Sequence, residues 1–444
     1  MKAGQIFCSK LSCLCVFALT FGFAGLSNAD EPLRTASGEA VRAIYYFPHW
    51  WQPWLSDENL IAQDFKRLRA MGINTLLLDH EWTQGVNQDN WNLLDRAHRL
   101  AAGAGLRIVP WLSLKTWSDM GLTQGRVEQA RKQFGVDLAK SQNQDGSTSS
   151  LVVYDEATII AGSGYAIQYL DRYKEKGVIA EFDWNGKVRP TVALTVELAW
   201  DGGGFDARSI DIFRRWLEGR YKGKIAVLNK LWKTRYGGFA EIDPRDRAIF
   251  DYANHAKART TKHPQAVEDH VEFRSVMVNR GLQAMKERVK LAHPDVLISS
   301  EFPYQLSAEH PHAKEFRVVF GSNPTCADHV EILFLRMTGL MTESEKKALR
   351  AHQDRTGQKV ILCYRTYNHW GERRPASNYA DQAAELANGI GFYSWNEMVD
   401  VHLVVSDPRL EKNQFTLEAD VAQRMQKHAA EILKLSKAKT DTNR

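Results

Sequence analysis

Eight short runs of aliphatic, β-branched or aromatic residues recur along the chain. They are Ala43–Phe47, Thr75–Asp79, Arg107–Leu112, Thr191–Val196, Val296–Ser300, His329–Leu335, Val360–Tyr364 and Gly391–Trp395. Several are apolar almost throughout, the pattern of strands covered on both faces. Helical patterns separate most of them. After the first run, Ser56 is placed to cap a helix whose inward stripe is Leu60, Ile61, Phe65, Leu68 and Met71, and Gly72 ends it. A second helix is predicted from about Asn90 to Ala104, with Leu93, Leu94, Ala97 and Leu100 inward and Gly105 closing it. Strand and helix alternating in this way imply a parallel sheet with right-handed crossovers. Eight such units suit the α/β class in its closed form, a (β/α)8 TIM barrel, better than an open doubly wound sheet. No Gly-rich phosphate turn follows the first run, as a nucleotide-binding sheet would usually require.

The predicted barrel carries long insertions after strands three and four. Residues from roughly Thr116 to Lys187 form the first, with a polar patch at Ser141–Ser150, and residues 206–294 form the second, with at least two helices. A C-terminal helix is expected near Leu417–Leu435. There is no internal repeat and no linker long enough to demand a further domain, so residues 30–444 read as one barrel domain. Residues 1–29 read differently. Lys2 and Lys10 make a basic start, Leu11 to Leu26 is apolar but short for a membrane span, and Ser27-Asn28-Ala29 sets small residues where a signal peptidase cuts. Export to the periplasm or the outside is therefore expected, with cleavage before Asp30 and no membrane association afterwards.

Removing that segment takes away two lysines and no acids, so the formal charge falls from +5 to +3. A near-neutral chain without a basic stripe gives no reason to expect nucleic acid as a partner. Cys8, Cys13 and Cys15 leave with the signal. Cys326 and Cys363 remain, either as two buried thiols in neighbouring strands or as a disulfide. They make neither a disulfide scaffold nor a zinc site. Glu309, His310 and His312 read as solvated turn chemistry rather than metal ligands, and no cofactor is implied.

Catalytic groups of such barrels gather at the C-terminal ends of the strands. Those ends hold Trp50 and Trp51 after strand one, Asp79, His80 and Trp82 at strand two, and Trp111 at strand three. Strand four leads to Glu197, Trp200 and Asp201; strand five to Glu301 and Tyr304; strand seven to Arg365, Trp370 and Glu372. Strand eight ends in Trp395, Asn396 and Glu397, with Asp400 beyond. Each tryptophan taken alone could pack in a core. The cluster is harder to explain that way, because barrel interiors favour Val, Ile and Leu. Sugars present flat C–H faces that stack on indoles, and hydroxyls that carboxylates, amides and imidazoles bind, so a carbohydrate is the expected partner. Cleaving a glycoside takes two carboxyl groups, one protonated and one ionised. Glu197 follows the apolar run Val192–Val196, whose wall would favour its protonated form. It is the leading acid. Arg365 reads as a neutraliser of rim carboxylates.

The segment VELAWDGGGFDARSIDIFRRWLEGRYKGKIAVLNKLWKTRYGGFAEI resembles the stretch after strand four in glycoside hydrolase family 42, the β-galactosidase-like barrels of clan A. The matching positions are Phe213, Trp216, Leu217, Arg220 and Tyr221, then Leu228, Asn229 and Trp232. The resemblance implies that Glu197 takes the place of the family's acid/base. Two departures stand out. Val196 replaces the asparagine that usually precedes that glutamate, and strand seven ends in Cys363-Tyr364-Arg365-Thr366-Tyr367, with no acid before Glu372, where the clan has its nucleophile. Separately, Ser394-Trp395-Asn396-Glu397-Met398-Val399-Asp400 is similar to the strand-eight signature of glycoside hydrolase family 99, which implies Glu397 and Asp400 as acting acids. The sequence thus supports Glu197 and Glu397 as the leading catalytic pair, with Glu301, Asp400 and Glu372 behind them. The alternatives are a glycan-binding barrel without turnover and a family 99-like glycosidase acting from strand eight.

Intact-mass measurement on protein exported by a bacterial host should give a chain beginning at Asp30. A chain that keeps residues 1–29 would refute the predicted cleavage.

Overall fold

The computed structural model describes residues 31–46, 58–81, 88–113, 131–138, 140–151, 154–195, 203–257, 259–303, 318, 328–337, 339–365, 375–395, 398 and 419–442. Eight parallel strands close into a barrel: Arg42–Tyr46, Thr75–Glu81, Arg107–Ser113, Lys187–Thr195, Leu297–Pro303, Ile332–Met337, Lys359–Arg365 and Gly389–Tyr393. They are called strands one to eight below. Strand eight pairs with strand one through Ile390–Phe392 and Arg42–Ile44, and strand four pairs with strand five through Thr191–Ala193 and Leu297–Ser299. Every predicted run overlaps one barrel strand.

Alternation decides which side chains fill the barrel. Tyr45 of strand one meets Trp111 of strand three, with ring centroids 5.4 Å apart, although strand two lies between them. Such a contact can only be made across the interior. The neighbouring residue Tyr46 points outward, packs edge-on against Phe65, and donates from its hydroxyl to Asp64 at 3.2 Å. Likewise Cys363 faces in, whereas Tyr364 meets Tyr379 on the surrounding helix Ala376–Leu386. Gly391 has a packing reason: a Cβ there would lie 2.7 Å from Cys363 Sγ and 3.2 Å from the Ala43 carbonyl.

The helix Glu58–Met71 buries Ile61, Phe65 and Leu68, and the chain turns at Gly72 with φ +100°. The next helix, Gln88–Gly103, is followed by Gly105 at φ +75°. Both glycines occupy the left-handed conformation that commonly ends helices. Strand four is longer than its apolar run. Lys187–Pro190 pairs antiparallel with Glu181–Trp184 around Asn185-Gly186, both at positive φ, and this is the Asn-Gly turn chemistry of a tight hairpin.

The insertion after strand four builds a second core from Phe213, Leu217, Tyr221, Leu228, Trp232, Phe250 and Phe273. At its centre lies the fully buried Asp269 of the helix Pro264–Ala292. Its Oδ2 accepts from Trp232 Nε1 at 2.8 Å and from the Tyr221 hydroxyl, and its Oδ1 accepts from Gln265 Nε2 at 2.8 Å. The Arg220 guanidinium stands beside it, 3.5 Å away at Nε, and stacks on Trp216 at 4.9 Å. Asn229 donates to the Tyr236 carbonyl and accepts from the Tyr236 amide, which holds the turn after the helix Ile225–Trp232. The residues of the F-x-x-W-L-x-x-R-Y and L-N-x-x-W pattern thus form one packed, hydrogen-bonded unit. No helix among the described residues is long and apolar enough to cross a membrane.

Asp269→Ala would leave buried donors on Trp232, Tyr221 and Gln265 without their acceptor. It should lower stability by about 3 kcal/mol in urea denaturation. An unchanged midpoint would refute the central role of this carboxylate.

Candidate functional site

The described part of the barrel interior is polar and aromatic in its C-terminal half. Glu301 on strand five is buried to 4% exposure and pairs with Arg336 of strand six, Oε1 to Nε 3.2 Å. In register Glu301 lies opposite Phe334, so Arg336 sits one inward-facing position further along and reaches back to the carboxylate. The Arg336 guanidinium carbon also lies 4.8 Å from the centroid of Tyr393, and that of Arg365 lies 4.7 Å from the same ring. Two guanidinium groups from adjacent strands therefore stack on one tyrosine. Tyr393 in turn packs against Tyr45, centroids 5.0 Å apart, and Tyr45 against Trp111.

Protonation in this layer follows from burial. Burial raises the Tyr45 hydroxyl well above its ordinary range, and the nearby Cys363 and Glu301 push it further. Burial likewise raises the Cys363 thiol, with Glu301 adding to the effect, while a hydrogen bond to Tyr45 and the charge of Arg336 act against it. Both groups stay neutral at ordinary pH. Cys363 is a free, fully buried thiol; Cys326 lies outside the described residues. Arg336 sets an opposite charge beside the buried Glu301 carboxyl group.

Several other expected site residues are visible. Trp111 is 3% exposed and forms part of the interior layer, and Trp395 is fully buried just beyond strand eight. Arg365 ends strand seven and is partly exposed. Asp79 and His80 belong to strand two, in register with Trp111 and Leu112 of strand three. Glu197, Glu397, Asp400, Glu372, Trp50, Trp51, Trp82, Trp200, Asp201, Tyr304, Trp370 and Asn396 lie outside the described residues. Sequence reasoning passed over Tyr45, Arg336 and Tyr393. Arg336 had a usable signal, a single cation inside the apolar run ILFLRM, which a buried position tolerates only with a partner.

Removing Arg336 alone leaves a buried carboxylate without its cation. Arg336→Met should therefore cost roughly 3–5 kcal/mol, and Arg336→Met combined with Glu301→Leu should recover most of that loss. Equal destabilisation of the single and double variants in denaturant melts would show that the pair is not coupled.

Searches with the sequence match no family model and no curated protein. The fold does match solved structures. The catalytic domain of a β-amylase from Paenibacillus polymyxa aligns with TM-score 0.58 and 12% identity, over 81% of this chain and 93% of that one. A β-galactosidase from Rahnella sp. R3 aligns with TM-score 0.58 and 11% identity over 93% of this chain, and one from the Antarctic haloarchaeon Halorubrum lacusprofundi with 0.55 and 16% over 89%. The chain spans 58% of the length of each of these two β-galactosidases. Likeness at this identity is a likeness of fold.

Proposed function

We propose that this protein is a glycoside hydrolase that cleaves O-glycosidic bonds of an oligo- or polysaccharide with two carboxyl groups. The observation that carries the reading is the closed barrel whose interior presents Glu301, Arg336, Arg365 and aromatic rings on the C-terminal half of its strands. Active sites of such barrels sit at that end, and the solved structures of similar fold include a β-amylase and β-galactosidases. In this reading Glu197 is the general acid/base and Glu397 the second carboxylate, ahead of Glu301, Asp400 and Glu372. Glu301, held by Arg336, is a further carboxyl group on the same half of the barrel. Carboxyl groups roughly 5–5.5 Å apart would give retention, and roughly 6.5–9.5 Å inversion. Resemblance to family 42 supports a clan A type, and the strand-eight signature supports a family 99-like alternative. The N-terminal segment supports export, with the enzyme acting in the periplasm or outside the cell.

One observation favours a second reading, a glycan-binding barrel without turnover. Strand seven carries no carboxylate anywhere along Lys359–Arg365, and a buried thiol and an arginine occupy the last two inward positions of the strand.

A panel of aryl glycosides and polysaccharides separates these readings. Turnover by the unmutated protein, reduced by a factor on the order of 100 or more in both Glu197→Gln and Glu397→Gln, is the expected result. Loss with Glu397→Gln alone would transfer the chemistry to strand eight. Glycan binding without any turnover would establish the binding protein instead.

A further inference from the structure

The helix Pro264–Ala292 presents two fully buried polar residues one turn apart, His270 and Arg274. Arg274 donates from Nη2 to the Val318 carbonyl at 2.5 Å and from Nη1 to the Gly203 carbonyl at 3.4 Å. Its guanidinium carbon lies 5.7 Å from the centroid of Tyr252. Gly203 follows Glu197 by six positions in the sequence, and Val318 belongs to the connection between strands five and six. One guanidinium therefore joins the segments that follow strands four and five.

The loop side is shaped to receive it. Gly204 has φ +106°, and a Cβ at that position would lie 3.2 Å from Arg274 Cδ, so both backbone and space call for glycine. The Gly204 amide donates to Ser141 Oγ at 2.6 Å and the Phe205 amide to the Gln142 carbonyl at 3.0 Å. Both acceptors belong to the strand Lys140–Gln142, part of a hairpin in the insertion after strand three. Asp206 then caps the helix Ala207–Arg220 through the Ser209 amide at 2.9 Å and accepts from Ser141 Oγ at 3.2 Å. Both long insertions thus converge on Gly203–Asp206.

We infer that Arg274 is a positioning residue that fixes the segment after strand four against the connection after strand five. Where it concerns catalysis, the inference rests on the glycoside hydrolase reading with Glu197 as acid/base. A planar fork of five N–H donors can bridge two carbonyls in one setting, whereas a lysine ammonium acts as a point charge on a flexible stem. A buried guanidinium is also costly to strip of its acceptors, so the carbonyls it holds are held firmly.

The test uses the mature full-length chain with Arg274→Met, Arg274→Lys and, from the loop side, Gly204→Ala. Hydrogen–deuterium exchange read by mass spectrometry should accelerate by about tenfold or more in peptides covering 203–206, with peptides covering strands seven and eight unchanged. With an active substrate, kcat should fall on the order of tenfold to a hundredfold while KM changes little, because misplacement acts on the chemical step. Arg274→Lys should behave as Arg274→Met does. Unchanged exchange at 203–206 in the folded variants would overturn the inference. So would a uniform rise across the barrel, which would mean a general stability role, and so would local opening without loss of kcat. Should the unmutated chain turn over no substrate, the hydrolase reading fails, while local opening in the exchange data still supports the positioning role.

Discussion

Pairing of Thr191–Ala193 with Leu297–Ser299 closes the sheet, and the interior depends on that closure. About a hundred residues separate the two segments, and the whole second core lies between them. Once the ring is shut, each strand has a single inward parity, and a slip of one residue would exchange its inward and outward side chains. Tyr45 meets Trp111 and Tyr46 meets Phe65 for this reason alone. The closed ring also leaves no free edge among its eight strands, so their backbone groups are satisfied by neighbours on both sides.

Within that ring, the inward positions are only partly filled by aliphatic side chains. Glu301 is tolerable there because Arg336 reaches it, and Arg336 is itself held against Tyr393. Tyr45 and Cys363 remain neutral, so the layer gains hydrogen-bonding groups without further buried charge. Aliphatic packing would stabilise a barrel at least as well. On the proposed reading that polar layer belongs to the site.

The pattern after strand four has a physical meaning independent of any family. Trp232, Tyr221 and Arg220 surround one buried carboxylate, Asp269, and the apolar members of the pattern enclose them. The unit stands on the same long helix that holds Arg274 against Gly203. The matched positions Phe213–Trp232 therefore build one packed support in the insertion after strand four.

The sequence by itself determined the eight strands and their alternation with helices, because strands covered on both faces are apolar along most of their length. Its boundaries erred where that signal weakens. Strand eight starts at Gly389 rather than Gly391, since glycines show no hydropathy pattern, and strand six starts at Ile332 rather than His329, which lies in the preceding turn. The Asn185-Gly186 turn between E-F-D-W and K-V-R-P is a legible hairpin signal in the sequence. Glu301 could be picked out because it ends an apolar run. That Arg336 is its partner could not be read, because the two become neighbours only through the register of two strands over thirty residues apart. The pairing of strands six, seven and eight sets two guanidiniums on Tyr393, and only the packing of both insertions brings Arg274 to Gly203. Local pattern fixes which segments are strands and helices; which charged side chains meet is decided by long-range pairing that no local pattern encodes.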